Sequence, residues 1–538
     1  MNVRTRLSRF AAALAVVSLV ALTPTPALAD GYVPISGSGS TWSQNALDQW
    51  RKNVASNYGM TVNYSGTGSS AGRTDFRNNT VDFAISEIPF QKQPEDGSAP
   101  ETTFGDGTSL DGRFAYMPIV AGGTSLMYNL KIGGKRVTNL RLSGEVIAKI
   151  FSGQISKWND PAIQSDNPAL AMPDRSITPV YRSDGSGTSA QFTLWLSKQF
   201  GNIWTQGMRS QFPQVNASFK GQNGSLGVAG YVSQDYGEGA ITYVEYSYAM
   251  KSGFPVVKVL NKAGYFVEPT YQSVAVALMS AAINPDLTQN LDGVYNSGDP
   301  RAYPMSSYSY MIVPTQTNKL FTPEKGKTLS RFANYMLCEG QQQASALGYS
   351  PLPMNLVQAG SKVLESIPGT EGPVDFNQCN NPTFKPGDSP ANNQLAASAP
   401  NPPACDKQGP TQCVEGTGGA QEATAATGSG GVSGGANSAD AAATSGGAGA
   451  AAGGAAAAGA ADAAAASGGG EPVYDANGEL VSGGGSAANA AVSSPFTLAD
   501  DGWGTPQFIM LAAALLMVAA ILIPPAVIRR SGAGTKRR

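Results

Sequence analysis

Ile177-Thr178-Pro179-Val180-Tyr181-Arg182-Ser183-Asp184-Gly185-Ser186-Gly187-Thr188 decides how this chain is read. The run from Ile177 to Tyr181 is strand-like. From Gln191 to Phe200 the pattern turns helical, with Phe192, Trp195, Leu196 and Phe200 on one face. A strand, a tight Gly/Ser loop and a helix start make a ready anion site. The first N–H groups of a helix have no partner inside it, and its dipole favours negative charge there. Ser186 and Thr188 add hydroxyls. Arg182 adds a permanent cation whose planar fork suits a tetrahedral oxyanion. Asp184 stands close enough in sequence to brace that fork.

Two more such loops lie upstream. Gly37-Ser38-Gly39-Ser40-Thr41-Trp42 opens a helical pattern with Trp42, Ala46, Trp50 and Val54 on one side. Gly66-Thr67-Gly68-Ser69-Ser70 follows the alternating Val62 and Tyr64 and opens a shorter helix. One loop of this kind is most often an ordinary Ser/Gly cap. Three in one chain point to donors converging on a single anion.

Composition narrows the chemistry. The chain has 538 residues, enough for roughly two to four domains. A formal charge of −2 gives no electrostatic case for nucleic acid. There is no histidine, which removes the Ser-His-Asp triad, the His-activated cysteine and His-ligated zinc. Four cysteines without a C-x-x-C argue against a zinc ribbon or a thioredoxin-type site. Gly326-Lys327-Thr328 has the ending of a Walker loop, but Phe321 stands where its first glycine belongs. The chain therefore reads as a non-enzyme that needs no metal or cofactor.

The ends indicate the compartment. Residues 1–29 carry Arg4, Arg6 and Arg9, an apolar run and Ala27-Leu28-Ala29, the pattern of a cleaved secretory signal. No cysteine follows for lipid attachment. Residues 508–528 carry no charge and are long enough to span a bilayer. Arg529, Arg530, Lys536, Arg537 and Arg538 follow, so the positive-inside rule puts 529–538 in the cytoplasm and the rest outside. Pro524-Pro525 is placed to kink that span.

Between the ends, residues 30–375 alternate strand-like and helical runs, which favours an α/β fold. About 345 residues exceed a single core and suit two lobes. Residues 91–113 are polar and rich in Gly and Pro, a surface insertion. From 376 to 505 the composition shifts, first to Pro, Asn and Gly, then to an Ala/Gly/Ser tract over 416–494 that lacks the apolar residues for a core. As a coil of ~100 residues it spans on the order of 50–60 Å. The order is head, tether and membrane foot. Cys338, Cys379, Cys405 and Cys413 imply two disulfides outside the cytoplasm. Local pairing, Cys338–Cys379 and Cys405–Cys413, is the simplest of the three possible pairings.

With these pieces in hand, the head resembles the phosphate-binding proteins of bacterial phosphate ABC importers. The resemblance runs from Ile35 to at least Leu352. It rests on the three loops, on Val81-Asp82-Phe83-Ala84-Ile85-Ser86-Glu87, on Gly153-Gln154-Ile155-Ser156-Lys157-Trp158-Asn159-Asp160 and on Tyr243-Val244-Glu245-Tyr246. It implies a type II periplasmic-binding fold of two hinged lobes. Lobe one would occupy 30–119 and return over 263–375, with lobe two at 120–262. The chain would cross near Met117 to Ser125 and return near Lys262. By position, Thr41, the Trp42 backbone and Ser69 would hold the anion from lobe one. Arg182, Ser186, Gly187 and Thr188 would hold it from lobe two. Trp158 and Tyr243 would pack the core.

One position departs from the family. Where an aspartate acceptor is usual, this chain has Glu87, with one methylene more. A carboxylate there accepts the proton that phosphate still carries near neutral pH, whereas sulfate has none to give. Two unit charges about 3 Å apart repel by on the order of 5 kcal/mol at an effective dielectric of ~20. That is worth several thousandfold in affinity. Asp82 is the fallback acceptor. The expected function is capture of inorganic phosphate outside the membrane and delivery to an ABC permease. The competing expectation is a surface sensor or adhesin that keeps the fold without transport. The glutamate also keeps arsenate or a phosphorylated organic group open as the ligand.

Overall fold

The computed structural model describes residues 31–418 apart from 390 and 392, with the backbone of 473–474 and 480–482. The chain divides into two compact units between Asn437 and Ser438. The described part of the second unit is one antiparallel strand pair, Val473–Tyr474 with Leu480–Ser482. The expected signal peptide at 1–29, the tether beyond Gly418 apart from that pair, the span at 508–528 and the tail at 529–538 lie outside the described residues. Among the described residues no helix is long and apolar enough to cross a membrane.

The first unit is built on an eight-stranded sheet. Its strands are β1 (Ile35–Gly39), β2 (Val62–Ser65), β3 (Phe83–Ser86), β4 (Phe114–Tyr128), β5 (Thr178–Arg182), β6 (Lys220–Gln222), β7 (Ala240–Glu245) and β8 (Ser306–Pro314). Their order is β2-β1-β3-β8-β4-β7-β5-β6. β1 runs parallel to β2 and β3, and β5 runs parallel to β6 and β7. Parallel strands are covered by helices on both faces. These are α1 (Gln44–Tyr58), α2 (Ser69–Arg77), α3 (Gly187–Phe200), α4 (Gly224–Ser233), α5 (Tyr246–Ser252) and α6 (Pro323–Leu337).

β4 joins the two lobes. Residues 114–123 pair antiparallel with β8, and 124–128 with β7. The cores divide along it. Trp50, Phe83, Ala121, Tyr308 and Phe332 share one cluster, while Leu126, Phe151, Trp158, Phe192 and Tyr243 share another. A smaller cluster, with Val180, Val228 and Val244, fills the other face of lobe two.

Two boundaries differ from the sequence reading. The chain rejoins the sheet of lobe one at β8, not near Lys262. Val267, Leu291, Val294 and Met305 belong to the second core, although Val274 reaches the first, and Lys262 lies in the turn between the paired strands Lys258–Leu260 and Phe266–Val267. The tether does not begin at 376 either, because the described residues of 376–418 form a strap laid on both cores. Phe384 is buried in the first core and Ala396 in the second. Cys338–Cys379 and Cys405–Cys413 form disulfides, the local pairing. Buried Arg141 donates to the carbonyls of Cys405 and Thr411 at 3.0 and 2.9 Å. Thr417 sits between Thr138 and Val256. The strap is poor in apolar residues, yet its backbone groups find partners on lobe two, which is what order requires.

The insertion at 91–113 is tied in as well. Phe104 and Leu110 reach the first core, and the Glu95 carboxylate accepts from the Met208 N–H of lobe two at 2.7 Å.

Lys258 Nζ meets Asp406 Oδ2 at 2.8 Å with side chains 10% and 5% exposed. Removing one partner leaves the other buried and uncompensated. Asp406→Ala is expected to lower the stability of the full-length chain by about 3–5 kcal/mol, measured by urea unfolding. A loss under about 1 kcal/mol would mean the strap is only laid on the surface.

Candidate anion-binding site

Lobe two brings its donors to one corner. β5 ends on Arg182, and Ser186 caps α3 by accepting from the Ser189 N–H at 3.1 Å. Arg182 is 2% exposed. Its Nε and Nη2 donate to the two Asp184 oxygens at 2.6 and 2.5 Å, a bidentate pair. Nη1 reaches Ser225 Oγ at 3.2 Å, and Asp184 also accepts from the Gly224 N–H at 3.0 Å. Asp184 thus holds the guanidinium by both of its oxygens. Burial opposes its charge, but Arg182 and the Gly224 N–H outweigh that and hold its carboxyl below the usual value. Tyr243 stands behind the loop, accepting from the Arg182 N–H at 3.1 Å and bonding Ser189 Oγ at 2.7 Å. Trp158 is core, with its indole N–H on the Gly239 carbonyl.

Lobe one supplies the tips of β1, β2 and β3. Gly39 has φ +131°, and a Cβ there would lie 2.2 Å from the Ile85 carbonyl oxygen, so only glycine fits the turn. Ser40, Thr41 and Trp42 follow it into α1, Ser69 opens α2 and Glu87 follows β3. The Glu87 carboxylate takes three serine hydroxyls. Ser40 and Ser309 donate to Oε1 at 2.5 and 2.9 Å, and Ser69 donates to Oε2 at 2.8 Å. Ser309 sits at a register shift in β8, the sort of irregularity that re-aims a side chain. Trp42 is fully buried, its N–H on Ser40 Oγ at 2.9 Å and its Nε1–H on Thr124 Oγ1 at 3.3 Å.

The lobes meet across the site in a closed arrangement. Thr41 Oγ1 lies 2.8 Å from Ser225 Oγ and accepts from the Ser225 N–H at 3.1 Å. The Ser70 N–H donates to the Gly185 carbonyl at 3.1 Å. Gln191 Nε2 donates to the Glu87 carbonyl at 2.7 Å. A Cβ on Gly187 would fall 2.2 Å from Glu87 Oε2 and 2.6 Å from Ser69 Oγ, so the extra methylene of the glutamate is accommodated by a residue without a side chain. Thr188 Oγ1 is buried and has no partner among the described residues.

The structure therefore gathers Thr41, Trp42, Ser69, Glu87, Arg182, Asp184, Ser186, Gly187 and Thr188 into one region. It does not bring Asp82 there. That carboxylate accepts from the Ser36 N–H and from Lys325 Nζ, both at 2.8 Å, on the far side of β3, and it is not the fallback acceptor. Ser225, Ser309 and Gln191 escaped the sequence reading. Asn223-Gly224-Ser225 ahead of an apolar helix carried the same Gly/Ser signal as the other loops. Ser309 and Gln191 carried none, since strand register and helix rotation alone aim them.

Glu87 is a carboxyl with 1% exposure. Burial is the largest influence and raises its pKa; the hydroxyls of Ser40, Ser69 and Ser309 and the charge of Arg182 pull down without cancelling it. The folded chain then holds more protons than the unfolded one between the ordinary value of 4.5 and the raised one, so stability falls as pH rises through that window. Glu87→Gln cannot ionise there and is expected to flatten this fall, measured by urea unfolding at a series of pH values. An unchanged slope would show that Glu87 titrates as it does in the unfolded chain.

The family described as the PBP superfamily domain matches residues 23–339. The chain is similar to the phosphate-binding protein PstS of Xylella fastidiosa strain Temecula1, at 34% identity over 340 residues, 62% of this chain and 86% of that one. It is similar to PstS of Pasteurella multocida strain Pm70, at 31% identity over 345 residues, 63% of this chain and 92% of that one. Among solved structures, a phosphate-binding protein from Stenotrophomonas maltophilia is 18% identical with a TM-score of 0.45, covering 64% of this chain and 100% of its own. The chain belongs to the PBP superfamily and, within it, to the PstS phosphate-binding proteins.

Proposed function

We propose that this chain captures inorganic phosphate outside the cytoplasm and delivers it to an ABC-type permease. The observation that carries the reading is a single acceptor set among donors. Arg182, the hydroxyls of Thr41, Ser186 and Thr188, and the N–H groups of Gly187 and Thr188 supply hydrogen bonds to an oxyanion, while Ser69 and the Trp42 N–H, beside them, are turned in this closed arrangement to Glu87 Oε2 and Ser40 Oγ. Glu87 faces them with acceptor capacity. Its Oε1 accepts from two serines, whereas Oε2 accepts only from Ser69 and has a lone pair for one more donor. A protonated phosphate oxygen is the kind of donor that lone pair accepts from. A fully ionised oxyanion would set lone pairs against it. The chain would carry no catalysis, need no cofactor and release its ligand when the lobes open.

The signal-like pattern at 1–29 and the uncharged apolar run at 508–528 support a head that lies outside and is tied to the membrane. The tether then keeps the head at a raised local concentration near its permease, the role that a lipid would otherwise play.

The decisive measurement is calorimetric titration of the full-length chain with phosphate and then sulfate near neutral pH. Phosphate is expected to bind and sulfate to be rejected. Arg182→Ala is expected to cost about 2–5 kcal/mol of phosphate affinity, because it removes the buried cation and strands Asp184. Glu87→Gln is expected to erode the rejection of sulfate more than the affinity for phosphate. Equal discrimination in both proteins would remove Glu87 from the selectivity mechanism, and no phosphate uptake by the wild type would remove the function.

A further inference from the structure

Behind Glu87 lies a second polar cluster. Gln191 Oε1, Tyr295 OH and Ser307 Oγ are buried and have no hydrogen-bond partner among the described residues. All three residues line one small chamber, whose other walls include Phe192, Trp195 and Leu291. Its volume, counted as space for the centre of a water molecule, is ≈ 10 Å³. That is about one water, and a water persists in such a space when it finds two to four polar partners.

The donors and acceptors match. The Gln191 oxygen only accepts, while the hydroxyls of Tyr295 and Ser307 can donate. One water donating to the first and accepting from the other two satisfies all three. The chamber also touches the anion site twice. Gln191 turns its other amide end to the Glu87 carbonyl at 2.7 Å. Thr124, another wall residue, accepts the Trp42 indole N–H at 3.3 Å.

We propose that this chamber binds a single internal water, and that the water, by fixing the Gln191 amide, makes Gln191 the residue that holds Glu87 in place when the lobes close. The bond to the Glu87 carbonyl already disfavours an amide turned end for end, and a fixed donor on Oε1 adds a second constraint of the same sense. With the water in place, only the observed orientation satisfies both ends. Gln191 is then a positioning residue. It touches the backbone of the acceptor, not the anion, and it does so across the cleft from lobe two. Its effect belongs to the closed state, so it bears on how long the ligand stays.

The kinetic arm rests on phosphate being the ligand; the structural arm does not. A structure of the full-length chain at a resolution that shows ordered water is expected to place one peak about 3 Å from Gln191 Oε1, Tyr295 OH and Ser307 Oγ. An empty chamber overturns the proposal whatever the chain binds. By stopped-flow, Gln191→Leu is expected to release phosphate about tenfold faster, with association changed by less than about twofold and the melting temperature of the phosphate-free chain unchanged. The double variant Tyr295→Phe with Ser307→Ala keeps the shape but removes both donors, and is expected to speed release by about threefold. Release at the wild-type rate in either folded variant overturns the positioning role. If Gln191→Leu does not fold, the double variant decides. If the wild type takes up no phosphate, the functional reading fails while the water peak still decides the chamber.

Discussion

A carboxylate with almost no exposure sits at the meeting point of both lobes, and much of the site can be understood as what it takes to keep Glu87 there. A buried acid is unfavourable unless its oxygens are occupied. Here the occupants come from three separate segments, Ser40 after β1, Ser69 at the start of α2 and Ser309 on β8. The fourth neighbour is the backbone of Gly187 from the opposite lobe. Closure of the lobes and solvation of this group are therefore one event. Separating them would take Gly187 and the Gln191 amide away and let water reach the carboxyl.

Much of this was legible in the sequence, and the reason is that its signals are local. Gly39, Gly68 and Gly187 with their neighbouring hydroxyls punctuate strand-to-helix turns, and such turns announce themselves over five or six residues. What was not legible depends on distant pairing. Nothing near Lys262 or Met305 says where the chain changes lobes, because that follows from β8 pairing with β4, about 190 residues earlier in the chain. Asp82 and Glu87 are both acids near β3. Only the placement of Lys325 against one and of three serines against the other separates their roles.

The strap over 376–418 misled for a related reason. Its composition is that of a linker, and composition measures how much core a segment can build for itself. It does not measure how well a segment lies on a core already built. Arg141 and Lys258 are buried cations on lobe two, and the carbonyls and Asp406 of the strap meet them from more than 140 residues away. Each side leaves polar groups that the other satisfies.

The last described residues have a mechanical meaning. Thr417 is hydrogen-bonded to Thr138 and Val256, and the Gly418 N–H to Glu268, all within lobe two. A tug on the chain beyond Gly418 is therefore borne by one lobe, at an anchorage stapled by Cys405–Cys413.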